Sequence, residues 1–470
     1  MARAYWACAL VHQPPCEACL SLSELPPLTD TNIVWSMNPF VYRNLRPATL
    51  HCNRSTGGLS QIPIRLLSLL PGSKGEQICC NLIQAFAGSD IQYEALSYTW
   101  GSPNHDHRIE CDKSYLQVTT TLQDALLTLR HPDKARILWI DQLCINQEDT
   151  EERNSQVKIM HLIYKYATRT IVFLGMGQVS KLGVKLNWWT LMLDLRKAHK
   201  QGDGDVLKEF QCLFAHPYFQ RAWVLLEIGM SKVKNAVVYY KGAVIPWTKL
   251  TSAGTLLGAY TTGQKYNLVQ LPPSVRRHEM IMAKWLAMAS NGSTYAPNFD
   301  RYGQLQNGSN KRVYSYFLLW VEPRLTEVLQ DSRFCLATDP RDKVYSLLNL
   351  SSINPAKDSS AWLLSVDYSL PLADVFSRAA RYCTETECSL EVLCYKEGSS
   401  SIAGLPSWVP DWTSQRLFPI HRIAFLTQYR SQFHNDIWPA KTWFPPLRST
   451  RNQAPVASFS ADGKTVALNG

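Results

Sequence analysis

The sequence predicts an α/β fold: an open, mostly parallel sheet flanked by helices, with a mainly helical region behind it. Three observations carry that expectation. Between residues 62 and about 175, apolar runs of strand length alternate with segments of helical period, the pattern of a sheet whose parallel strands are joined by crossover helices. Turn chemistry such as Pro71-Gly72 separates the runs. Beyond about Thr251 the alternation fades into longer helix-like segments.

Length and composition bound the answer. At 470 residues the chain is too long for one ordinary core and suggests two or three domains. With 46% hydrophobic and 18% charged residues it reads as globular. No stretch reaches the roughly 18 consecutive apolar residues of a membrane span. The net charge of +10 comes from 48 Lys and Arg against 38 Asp and Glu, spread without a block of like charge. It suits an anionic small molecule, whereas nucleic-acid binding ranks low because no basic stripe interleaved with aromatics is visible. Thirteen cysteines at irregular spacing fit a reduced protein rather than a disulfide framework. The opening MARAYWACALVHQPP makes a poor signal peptide. The expectation is therefore an intracellular, cytoplasmic protein.

Residues 1–61 lack sustained periodicity and read as a poorly ordered leader. Cys16 and Cys19 form a single C-x-x-C, and a structural zinc site would need a second pair at matching spacing, which does not follow. From Ile62, "IPIRLLSLLPG" and "QICCNLIQAF" read as a strand pair at a domain's edge. Tyr93–Tyr98 is the next strand and Arg108–Cys111 a short one. "TTTLQDALLTLRHP" is a helix with Val118, Leu122, Ala125, Leu126 and Leu129 on one face, Thr121 and Asp124 in capping positions and Pro132 past its end. "RILWID" is a buried strand. The following helix is entered through Asp149 and Glu152 and carries an apolar stripe of Val157, Met160, Ile163, Tyr164 and Ala167. "TIVFLG" and "NAVVYY" are further strands, and 62–250 is taken as one α/β domain. Residues 251–412 are expected as a helical extension, including "DPRDKVYSLLNL", where Asp339 and Pro340 are helix-start chemistry. Residues 413–470 form an irregular region whose "SADGKTVALNG" suggests a β-hairpin.

Open parallel sheets bind ligands at the carboxyl ends of their strands. Three strands end there in residues that a core does not need: Ser97-Tyr98 with Trp100 and Gly101, Asp141 with Asn146 and Gln147 beyond it, and Gly175 with Gly177. The loops after them are the candidate pocket.

Four segments together, "YEALSYTWG", "LWIDQLCINQEDTEERNSQVKIMHLIYKYATRTIVFLG", "HPYFQRAWVLLEI" and "ATDPRDKVYSLLNL", resemble the fungal heterokaryon incompatibility (HET) domain family, over about Ile62 to Trp412. Its members set off regulated cell death when genetically different hyphae fuse. Leu226 departs from the family, which usually has Gln there, and no G-x-x-x-x-G-K-[ST] nucleotide-binding module accompanies the domain. The resemblance thus implies self-association or an activating signalling protein as partner. The family is held to be distantly similar to Toll/interleukin receptor (TIR) domains, which implies a TIR/flavodoxin-like sheet. "LSYTWG" is similar to the Ser-aromatic-x-Gly loop of TIR domains. TIR enzymes that cleave NAD carry a catalytic Glu four residues after a Trp, and Trp223 to Glu227 has that spacing.

Through this resemblance, Glu227 is nominated as the catalytic carboxylate of an NAD glycohydrolase, with NAD as substrate and no permanently bound cofactor. Such a site needs a carboxylate near the anomeric carbon and an aromatic surface for the bases. Ser97, Tyr98, Trp100, Gly101, Asp141, Asn146, Arg221 and Trp223 are the candidate substrate-binding residues. Bland alternatives stand beside each main one. Glu227 could be ion-paired with Arg221, Arg221 could bind a phosphate or only that carboxylate, Asp141 could cap a turn, and Trp100 could be core. Asn146, Gln147, Arg153 and Gln156 would organise the loop before the helix. Cys144, between Leu143 and Ile145, is read as a small buried hydrophobe rather than a nucleophile. The alternative to an enzyme is a non-catalytic signalling module, since fold alone does not fix function.

Overall fold

The structure is a computed structural model and describes residues 38–45, 62–73, 75–102, 104–176, 213, 216–250, 324–333, 335–351, 360–387, 390–396, 398–414, 456–460 and 462–469. Cys16 and Cys19, most of the expected leader, Gly177, and residues 251–323 of the expected helical extension lie outside the described residues. Two compact units interleave along the chain. The first comprises Met1–Gln147, Leu162–Phe210 and Ser231–Leu256, the second Glu148–His161, Gln211–Met230 and Leu257–Gly470.

The first unit is built on a nine-stranded mixed sheet: β1 (Pro63–Leu69), β2 (Cys79–Phe86), β3 (Glu94–Tyr98), β4 (His107–Cys111), β5 (Ser114–Val118), β6 (Arg136–Trp139), β7 (Arg169–Phe173), β8 (Val237–Tyr240) and β9 (Ala243–Pro246). Their order is β5-β4-β2-β1-β6-β3-β7-β8-β9. The α/β expectation holds. Strands β6, β3, β7 and β8 run parallel, flanked by antiparallel pairs at β1–β2, β1–β6, β4–β5 and β8–β9. Numbered by their order in the chain, the four parallel strands lie 2-1-3-4, as in flavodoxin-like sheets. Such strands are covered on both faces, so they read as continuous apolar runs; Ala95 to Tyr98 of β3 and Thr170 to Phe173 of β7 are all buried.

The expected β1–β2 pair forms, with β1 inside the sheet between β2 and β6 and Ile64 to Leu69 all buried. Strands β5 and β9 escaped notice because each is short and returns through a tight turn. Asp112-Lys113 and Lys241-Gly242 both hold two successive positive φ values, the geometry of a two-residue hairpin, and only the second has a glycine to signal it. Val118 therefore ends β5 and does not belong to the helix. That helix, α1 (Thr120–Leu129), is capped by Thr119, whose Oγ1 accepts from the Leu122 amide at 3.3 Å.

Two more helices follow β6, the short α2 (Asp141–Cys144) and α3 (Thr150–Tyr166). Asp149 begins α3 as its sequence suggests, its Oδ1 accepting from the amides of Glu151 and Glu152 at 3.0 Å each. At the amino ends of the parallel strands, Glu94 binds Arg136 through both carboxylate oxygens and lies 3.6 Å from Arg169, which ties β3 to β6 and β7.

The second unit contains α4 (Ala222–Gly229), α5 (Leu325–Asp331), α6 (Asp342–Tyr345) and α7 (Leu372–Thr386). The amphipathic α7 buries Val375, Phe376, Ala379, Ala380 and Cys383, and Phe376 meets the buried Trp412 edge-on at 5.1 Å. The expected C-terminal hairpin is present as β10 (Val456–Phe459) and β11 (Val466–Asn469).

Candidate functional site

In the 2-1-3-4 order β6 lies beside β3 on one side and β8 beside β7 on the other, a switch point of the kind at which open sheets place a ligand crevice, at the carboxyl ends of these neighbours. The loop after β3 enters it with Thr99, Trp100 and Gly101. Tyr98 is buried, and its hydroxyl donates to Gln142 Oε1 at 2.8 Å. Trp100 is 37% exposed and donates from Nε1 to Asp141 Oδ2 at 2.9 Å. Asp141 Oδ1 accepts from the Gln142 amide at 2.8 Å, and its carbonyl accepts from Gln147 Nε2 at 2.9 Å. Gln142 Nε2 lies 2.9 Å from His105 Nε2. The loops after β3 and β6 are therefore stitched side chain to side chain, and Tyr98, Trp100 and Asp141 come together as the strand ends suggest. Asp141 both caps its own turn and braces the tryptophan. Asn146 is half-buried just beyond α2, and Ser97 is buried within β3 beside Val172.

Two glycines shape the crevice. Gly101 has φ +77°, and a Cβ there would stand 2.5 Å from Thr121 Oγ1, so the loop passes tightly over the first turn of α1. That turn offers backbone N–H groups and the positive end of a helix dipole, a favourable setting for an anion. Gly175, after β7, has φ +92° with open space around it. Cys144 is fully buried, and burial pushes its thiol up to about 12, which suits a core residue and not a nucleophile.

Arg221, Trp223 and Glu227 belong to the second unit. Trp223 and Glu227 share one face of α4 at the i, i+4 interval, and Glu227 is only 2% exposed. Arg221 precedes α4, and the backbone there pairs with Leu336. The Trp223 side chain hydrogen-bonds to Asp342, the first residue of α6. Asp342 also accepts from the Tyr368 hydroxyl at 2.5 Å. Burial holds its carboxyl up at about 6, against these two hydrogen bonds that favour the ionised form. Arg341 grips Asp339 through Nε at 2.9 Å and Nη2 at 2.7 Å. Sequence reasoning gave "DPRD" a helix-start role, and Asp339 Oδ1 does accept from the Arg341 amide at 3.0 Å. It missed Tyr368 and Gln142 altogether. Nothing in "VDYSL" announces a partner for Asp342, and Gln142 hides inside an apolar run.

Residues 93–227 match the family described as heterokaryon incompatibility protein (HET). The chain is also 26% identical over 416 residues to heterokaryon incompatibility protein 6, OR allele, of Neurospora crassa, an alignment covering 75% of this chain and 58% of that protein. The chain thus spans well under two thirds of the length of this relative. No solved structure matches it.

Proposed function

We propose that this chain, whose residues 93–227 match the HET family, acts in fungal self/non-self recognition by setting off a regulated cell-death response, with cleavage of NAD to nicotinamide and ADP-ribose as the underlying chemistry. One observation carries this reading: the family match runs from the strand that leads into Trp100 and Gly101 to Glu227 itself. Glycosidic cleavage at the nicotinamide ribose develops positive charge on the sugar, and a carboxylate such as Glu227 would stabilise it. The response would be triggered by self-association or by an activating signalling protein.

The burial of Glu227 favours a second reading, in which this carboxylate holds the fold and the domain is a non-catalytic module acting through protein contacts. Expression in a filamentous fungus separates the two. Wild-type chain at verified levels is expected to arrest growth, and Glu227→Gln at equal levels to grow normally. Equal killing by both variants would replace the enzyme with the module.

A further inference from the structure

Two arginines of the second unit lie against one tyrosine ring, and the protein uses them very differently. The guanidinium carbon of Arg153, on the first turns of α3, is 4.2 Å from the centroid of the Tyr368 ring, and that of Arg341 is 5.3 Å from it. Arg341 is heavily engaged: beyond its fork on Asp339 it donates from Nη1 to the carbonyls of Leu370, at 3.1 Å, and Tyr368. Arg153 has no ion pair and no side-chain hydrogen bond among the described residues, and its Nε is buried without a partner. The unmatched buried Nε is costly, and the two Nη groups, which also have no partner among the described residues, are the donors that an acceptor from outside can reach.

The surroundings say what that acceptor is. Tyr368 is fixed from three sides: its amide donates to Asn154 Oδ1 at 3.0 Å, its hydroxyl binds Asp342, and Tyr345 packs edge-on at 5.2 Å. The guanidinium plane therefore rests on an immobile platform. Asp339 and Asp342 feel the charge of Arg153, but their hydrogen bonds go to Arg341 and to Tyr368 and Trp223, and Asp367 accepts from the amide and hydroxyl of Ser369. Lys158 and Arg378 add positive charge at Asp367. Arg153 is half-buried, which leaves an approach from solvent.

We propose that Arg153, laid on Tyr368, is the anchor of an anion site in the second unit that takes a phosphoryl group. A rigid planar fork with unused donors matches phosphate oxygens bidentately, which a point charge does not. The phosphoryl group belongs either to a free phosphate compound or to a nucleotide.

Calorimetric titration of the full chain with inorganic pyrophosphate, and in a separate arm with ADP, tests it. Saturable binding is expected in at least the ADP arm, weakened about tenfold or more by Arg153→Gln and less by Arg153→Lys, which keeps the charge and loses the fork. Equal affinity for the two probes means that the phosphoryl group alone is read, and tighter binding of ADP means that the nucleoside is read as well. Absence of saturable heat in both arms, or wild-type affinity in Arg153→Gln, overturns the proposal. Should the Gln variant fail to fold, the wild type decides: bound probe is expected to slow phenylglyoxal modification of Arg153, followed by mass spectrometry, and unchanged modification overturns the site.

Discussion

Asp342 shows how far a single residue type can be read and where reading stops. Its place in "DPRDKVY" reveals helix-start chemistry, but its carboxyl is held up at about 6 by burial, against hydrogen bonds from Trp223 and Tyr368, 119 positions before and 26 after it. The folded state keeps the proton that the unfolded chain, near 3.8, has released. Stability from this group is therefore complete below about pH 4 and is lost as pH rises through about 6, each pKa unit amounting to about 1.4 kcal/mol. Urea midpoints of the wild type are expected to fall across that window relative to Asp342→Asn. Parallel profiles for the two proteins would show that the carboxyl titrates as it does in the unfolded chain. Arg153 teaches the same lesson, for its sequence position suggests a loop organiser while its guanidinium packs on Tyr368, far along the chain.

At the scale of elements, the parallel strands were legible because burial on both faces writes unbroken apolar runs, and α3 because Asp149 announces it. The antiparallel additions β5 and β9 were not, since a four- or five-residue strand behind an Asp-Lys or Lys-Gly turn offers too little periodicity to detect. The loop after β3 was recognised by its residue types, and its geometry makes a paired prediction. Gly101→Ala and Gly175→Ala both force a side chain into the left-handed region, at about 1–2 kcal/mol each. Only Gly101→Ala also drives a Cβ against Thr121. It should lower the denaturation midpoint more than Gly175→Ala does, and equal shifts would mean that the loop does not pass over α1 as described.

For the molecule as a whole, the family segment 93–227 draws on both compact units, so neither unit alone carries it. That interleaving was invisible in the sequence, where residues 62–250 read as one continuous domain. A contact map, and not a hydropathy pattern, is what separates segments that return to different cores. Among the described residues no helix is long and apolar enough to cross a membrane, and no cluster of His, Cys, Asp and Glu is arranged to hold a metal ion. The catalytic role proposed for Glu227 is tested most directly by NAD turnover of the purified, concentrated chain. Wild type is expected to release nicotinamide and ADP-ribose, and Glu227→Gln to lose about 10² to 10⁴ in rate while unfolding at an unchanged denaturant midpoint. NAD left intact by the wild type, or turnover undiminished in the Gln variant, would contradict the account.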